Sequence, residues 1–142
     1  MQISSFDKKH KLVFASQAKK HHDYTCVECG KTVRLRGGFH RQKHFFHLHP
    51  SEQCRQSGKG MIHLKIQEYL HKVLGEDNSA MEVRFPKIRR IADIVWYKEK
   101  LVFEIQFSPI KACEVSERNK DYAKEGYQVI WILHDKTFNK FR

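Results

Sequence analysis

Apolar and polar positions alternate in three different ways along this chain, and each rhythm predicts a different kind of element. "MIHLKIQEYLHKVLG" (61–75) places Ile62, Ile66, Tyr69, Leu70 and Val73 three or four residues apart, which predicts an amphipathic helix that buries this stripe and ends at Gly75. "AMEVRFP", "RRIADIVWY" and "KLVFEIQF" read as three strands, the last two joined by a short "KEK" turn that predicts an antiparallel hairpin. "KACEVSERNKDYAKEG" predicts a second helix ending at Gly126, and "YQVIWILH" is apolar almost throughout, which predicts a strand buried on both faces. The resulting order, α-β-β-β-α-β, predicts an α/β fold with helices packed on a mixed sheet.

Ahead of this series the texture is different. "KLVFASQA", "KTVRLR" and "KHFFHLH" are short strand-like runs broken by turns, with too few aliphatic residues to hold a core by burial alone. The small and polar stretch "QSGKG" (56–60) marks the expected boundary, giving an N-terminal β segment over 1–57 and a second domain over 58–142.

The thin first segment calls for a staple, and its cysteines and histidines supply one. Cys26 and Cys29, followed by Gly30, form a knuckle suited to the tetrahedral sulfur and nitrogen coordination of zinc. "HFFH" adds His44 and His47, so the expected ligand set is Cys26, Cys29, His44 and His47. Strand alternation puts His47 and His49 on one face and His44 on the other, which keeps His49 and Cys54 as substitutes. With four protein ligands the zinc would be structural, with no open position for chemistry.

Two carboxylates lie inside the apolar strands. In "LVFEIQF" the residues Val102, Glu104 and Gln106 share one face, and Asp93 of the preceding strand can lie across the hairpin from them. Two acids on one sheet face repel unless a cation or shared proton intervenes, which points to a bound magnesium or manganese ion and to phosphodiester hydrolysis. Ordinary ion pairs, Asp93 with Arg89 or Arg90 and Glu104 with Lys98 or Lys100, are the competing reading.

Charge narrows the partner. The 142 residues hold 27 Lys and Arg against 16 Asp and Glu, a formal net charge of +11, which favours an anionic partner such as nucleic acid. No stretch reaches the roughly 18 apolar residues of a membrane span and the start lacks a signal-peptide pattern, so a cytoplasmic protein without a membrane partner is expected.

Taken in order, "YTCVECG", "HFFH", "RRIADIV", "FEIQFS", "SERNKDY" and "VIWIL" are similar to the competence protein CoiA-like family, in which a zinc-knuckle segment precedes a restriction-endonuclease-like domain of the PD-(D/E)XK nuclease superfamily. The resemblance runs from about Tyr24 to Leu133. It implies a metal-dependent deoxyribonuclease acting in competence, DNA recombination or repair, alongside recombination or helicase proteins. It puts the superfamily's two acids on Asp93 and Glu104, and Gln106 in the place of its lysine, where it would orient water or phosphate. Glutamine brings no positive charge, so the cation would come from Lys87, Arg89, Arg90 or a second metal. Arg118 and Tyr122, four apart, resemble a Gln-xxx-Tyr element and are expected with Arg90 and His63 to contact DNA; Gln67, Glu68 and Glu82 are further polar candidates. The rival function is a DNA-binding module that keeps the fold and the zinc and has lost cleavage.

Overall fold

The structure is a computed structural model and describes residues 1–139. It is a mixed α/β chain with two sheets and four helices, dividing into two compact units, Met1–Leu64 and the chain from Lys65 on.

The first unit is built from short antiparallel strands: β1 (Ser4–Phe6), β2 (Leu12–Phe14), β3 (Tyr24–Thr25), β4 (Thr32–Arg36) and β5 (His44–His47), in the order β2-β1-β3-β4-β5. Gln2 exchanges both backbone hydrogen bonds with Phe45, at 3.1 and 2.7 Å, which ties the chain beside β1 to β5 at the far end of the sheet order. Alternation along β4 is regular: Val33 and Leu35 turn inward while Thr32, Arg34 and Arg36 face solvent. Inside lie Ala15, Ala18, Cys26, Val33, Leu35, Phe45 and Cys54, a small core in which two cysteines stand where a larger domain would have aliphatic side chains. A single helical turn, α1 (Arg55–Gly58), follows.

Helix α2 (Met61–Leu74) forms where the periodicity predicts, but it packs through a different face. His63, Leu64 and Gln67 are buried, whereas Ile62, Tyr69 and Val73 are 66, 67 and 62 % exposed. Of the apolar stripe expected to face the core, these three face solvent, while Ile66 and Leu70 are half-buried. Both His63 and Gln67 have interaction partners, although His63 Nε2 and Gln67 Nε2 are themselves buried without a hydrogen bond.

From Lys65 on, the sheet order is β6 (Ser79–Phe85), β7 (Arg90–Trp96), β8 (Leu101–Gln106) and β9 (Gln128–Leu133). The first three strands are antiparallel neighbours, and β9 runs parallel to β8 after the crossover helix α3 (Ala112–Lys124). Gly126 ends α3 in the left-handed region, at φ +83°, and lets Tyr127 N–H return to the Tyr122 carbonyl at 3.0 Å. A short α4 (Asp135–Phe138) follows β9. The core holds Ala92, Val95, Val102 and Tyr122, edged by Val83, Phe85, Tyr127 and Val129.

Strand β9 corrects another expectation. It is an edge strand, paired only with β8 in the sheet order, and Ile130 and Leu133 are 41 and 48 % exposed. A continuous apolar run says that a strand can be buried; its place in the sheet decides whether it is.

Candidate functional site

The knuckle after β3 closes as a tight turn, with Cys26 N–H donating to Lys31 at 2.9 Å and Gly30 N–H to the Cys26 carbonyl at 3.1 Å. Glu28 N–H points at Cys26 Sγ, 3.4 Å away, an arrangement that favours a thiolate. His47, at the end of β5, brings Nε2 within 3.3 Å of Cys29 Sγ, and Cys54, at the start of α1, brings Sγ within 3.7 Å of Cys26 Sγ and 3.6 Å of His47 Nε2. These four ligand atoms lie within 4.8 Å of one another, the one such gathering of three or more Cys, His, Asp or Glu among the described residues.

The spacing fits zinc. Tetrahedral bonds of about 2.3 Å to sulfur and about 2.0 Å to nitrogen give edges of about 3.8 Å between sulfurs and about 3.5 Å between sulfur and nitrogen. The separations of 3.7, 3.6 and 3.3 Å lie close to these edges and far from the roughly 2.05 Å of a disulfide. Burial pushes the Cys26 and Cys54 thiols up and the His47 imidazolium down, so His47 is held in its ligating neutral form while metal binding must displace thiol protons. Glu28 braces the group, accepting from Cys54 Sγ at 3.2 Å and from Gln56 N–H at 3.1 Å.

His44 is not in this set. It pairs with Arg36 across the ladder on the face of β5 opposite to His47, with Nδ1 2.8 Å from the Gln42 carbonyl and Nε2 3.5 Å from Arg36 Nε. Cys54 takes its place, and exposed His49 is outside the group as well.

The acids lie in the second unit. Met81↔Ile94 and Val83↔Ala92 are ladder partners, and the pair between them, Glu82 and Asp93, is where the ladder is interrupted. The β7–β8 ladder starts at Ile94↔Phe103, one step beyond Asp93 and Glu104. Continuing both registers, Glu82, Asp93 and Glu104 fall in one row across three neighbouring strands, and Glu104↔Trp131 extends it to β9. Each of the three acids is only 4 % exposed.

The row coincides with a break in strand geometry. Glu82 has φ +51°, a left-handed conformation uncommon for a residue with a side chain. Ala92 and Val95, three apart, both belong to the same apolar cluster, whereas strict alternation would send them to opposite faces. The alternation of faces therefore slips in phase beside Asp93, while β6 and β7 keep one register on either side of it. Its carboxylate takes over a ladder role, accepting Ile105 N–H on Oδ2 at 2.8 Å.

Helix α3 addresses Glu104. Its two buried residues are Arg118 and Tyr122, one turn apart. Tyr122 Oη donates to Glu104 Oε1 at 2.7 Å, and Arg118 Nη1 lies 3.8 Å from Oε2. Arg118 also pairs closely with Glu114, its guanidinium lies 5.6 Å from the centre of the Trp131 ring, and its Nε is buried with no hydrogen-bond partner.

The residues expected to contact DNA are placed as follows. Tyr122 is fully buried and Arg118 nearly so, and both turn toward Glu104 rather than solvent. Arg90 donates through Nη2 and Nε to Asp121 Oδ2 at 2.7 and 3.0 Å, which holds the Asp121 carboxyl below the usual carboxylate range. His63 is buried on α2. Gln106 donates Nε2 to the carbonyl and hydroxyl of Ser108 at 2.7 and 3.1 Å, fastening it to the turn after β8. The four-residue spacing of Arg118 and Tyr122 showed that they share a helix face, but not that the face turns inward. Trp131 carried no sequence signal beyond its place in an apolar strand.

Residues 59–142 match the family model described as competence protein CoiA, nuclease-like domain. No curated protein and no solved structure gave a match. No helix among the described residues is long and apolar enough to cross a membrane.

Proposed function

The chain belongs to the competence protein CoiA nuclease-like domain family, and from that premise we propose that it is a magnesium- or manganese-dependent deoxyribonuclease with a restriction-endonuclease-like core. The division at 57/58, a zinc segment before a nuclease domain, is part of the same reading. The observation that carries the proposal is the row of Glu82, Asp93 and Glu104. Carboxylates buried on neighbouring strands are costly to ionise together. A divalent cation offsets that cost, and magnesium is ordinarily held by one or two carboxylates plus water.

Asp93 and Glu104 would hold the ion, with Glu82 as a third acid beside them. The ion, when bound, would polarise the scissile phosphate and lower the pKa of its water. Tyr122 and Arg118 keep the Glu104 carboxylate in one orientation, and the Ile105 N–H does the same for Asp93. Gln106, at the mouth of the same strand, would orient water or phosphate. Zinc at Cys26, Cys29, His47 and Cys54 would be structural, and recombination or helicase proteins in the cytoplasm are the proposed working partners.

One observation favours the second reading, a DNA-binding module without cleavage: the Gln106 amide is engaged by Ser108 and leaves no cation at that place. Incubating DNA with the protein and manganese decides between them. Cleavage that is lost in Asp93→Ala and Glu104→Ala supports the nuclease; salt-sensitive DNA binding with no cleavage by the wild type supports the module.

A further inference from the structure

The positive charge of this chain is unevenly placed. Met1–Leu64 holds twelve Lys and Arg against four Asp and Glu, while the chain from Lys65 on holds fifteen against twelve. Within the first unit the charge concentrates on the β4–β5 hairpin, where residues 30–51 contain five Lys and Arg and no acid. The hairpin lies outside the acid row and supplies only His47 to the thiol group.

At its tip stands Phe39, 99 % exposed, where the next large apolar side chains reach 67 and 66 %. Its ring meets only His40, edge-on at 5.0 Å. The turn that carries it is fixed: Gly38 N–H donates to the Arg41 carbonyl at 2.7 Å, and Gly37 sits at φ +102° where a Cβ would run into the Gln42 carbonyl oxygen. Arg36, Arg41 and Lys43 are exposed around it, and Arg36 lies 4.5 Å from the centre of the Phe46 ring. The Lys20 ammonium approaches Gly38 from the neighbouring loop.

A solvated aromatic ring on a hairpin rich in exposed cations suits a ligand that offers a flat apolar face and a string of negative charges. An unpaired nucleotide offers both, because its base can stack on the ring while its phosphates meet the cations. A base inside a duplex has its faces already stacked.

We propose that the β4–β5 hairpin tip is a binding site for single-stranded DNA, in which Phe39 stacks on an unpaired base while Arg36, Arg41 and Lys43 hold the adjoining phosphates. That the ligand is DNA rests on the nuclease reading; the contact itself requires no cleavage.

The test is fluorescence anisotropy of a labelled oligothymidylate with the full zinc-loaded chain, without magnesium or manganese, over a series of salt concentrations. Phe39→Ala is expected to weaken binding by about tenfold or more and to leave the salt slope and melting temperature unchanged, with Phe39→Trp restoring affinity. Arg41→Gln combined with Lys43→Gln is expected to flatten the slope of log affinity against log salt by about 1.4. Oligothymidylate binding that Phe39→Ala leaves intact overturns the proposal. So does a wild type that ignores the oligonucleotide and binds phosphatidylserine-containing vesicles through Phe39. Wild-type protein that binds through Phe39 yet cuts no DNA in manganese strikes the nuclease reading alone and leaves this site standing.

Discussion

Tyr122 donates its hydroxyl to Glu104 Oε1 at 2.7 Å although neither side chain is open to solvent. A hydrogen bond to a buried carboxylate is worth about 1.5–3 kcal/mol, because deleting the donor leaves the acceptor desolvated without compensation. Tyr122→Phe keeps the ring against Phe85 and removes only the donor. It is expected to lower unfolding free energy by about 2 kcal/mol in urea titrations, and to weaken manganese binding measured by calorimetry. Wild-type values for both would mean that Tyr122 serves packing alone.

The zinc assignment reverses the order in which the sequence placed two residues, His44 as an expected ligand and Cys54 as a substitute. Cys54→Ser removes one of four ligands and is expected to reduce bound zinc to well below one per chain in elemental analysis, with loss of the first unit's cooperative melting. His44→Gln, whose side chain lies on the other face of β5, should keep full zinc content. The reverse pattern would restore the ligand set expected from the HFFH spacing.

That exchange also shows what the sequence could convey. The β7–β8 hairpin was legible because alternating apolar residues and a short turn leave one pairing, and it brought Asp93 and Glu104 to the same level. The alternation rule set His44 apart from His47 and kept His49 and Cys54 as substitutes for the expected His44; only the path of the chain into α1 decides for Cys54. The inward face of α2 was not legible at all, because His63 and Gln67 look like surface residues until their partners are in place. The left-handed Glu82 and the slip beside Asp93 are equally silent, since neither glycine nor proline marks them.

Acid should act through His44. Burial lowers its folded-state pKa below the ordinary 6.5, so the unfolded chain takes up this proton first as pH falls. Stability from this group is complete above about pH 6.5 and declines as pH drops through the folded value. Melting temperatures of zinc-loaded protein between pH 7.5 and 5 are expected to fall less steeply in His44→Gln than in the wild type. Equal slopes would show that His44 titrates alike in both states.

The relation between Arg118 and Glu104 is the most exacting point of the site. Their charged atoms are 3.8 Å apart, both side chains are about 95 % buried, and Arg118 also serves Glu114. Removing one partner of a buried pair leaves the other charge desolvated and less well compensated, at a cost of about 3 kcal/mol, whereas removing both can be far milder. Arg118→Gln and Glu104→Gln are each expected to destabilise the protein, and the double variant by clearly less than the two effects added, a coupling read from a double-mutant cycle in urea. Additive losses would mean that Arg118 is anchored by Glu114 and Trp131 and does not couple to Glu104.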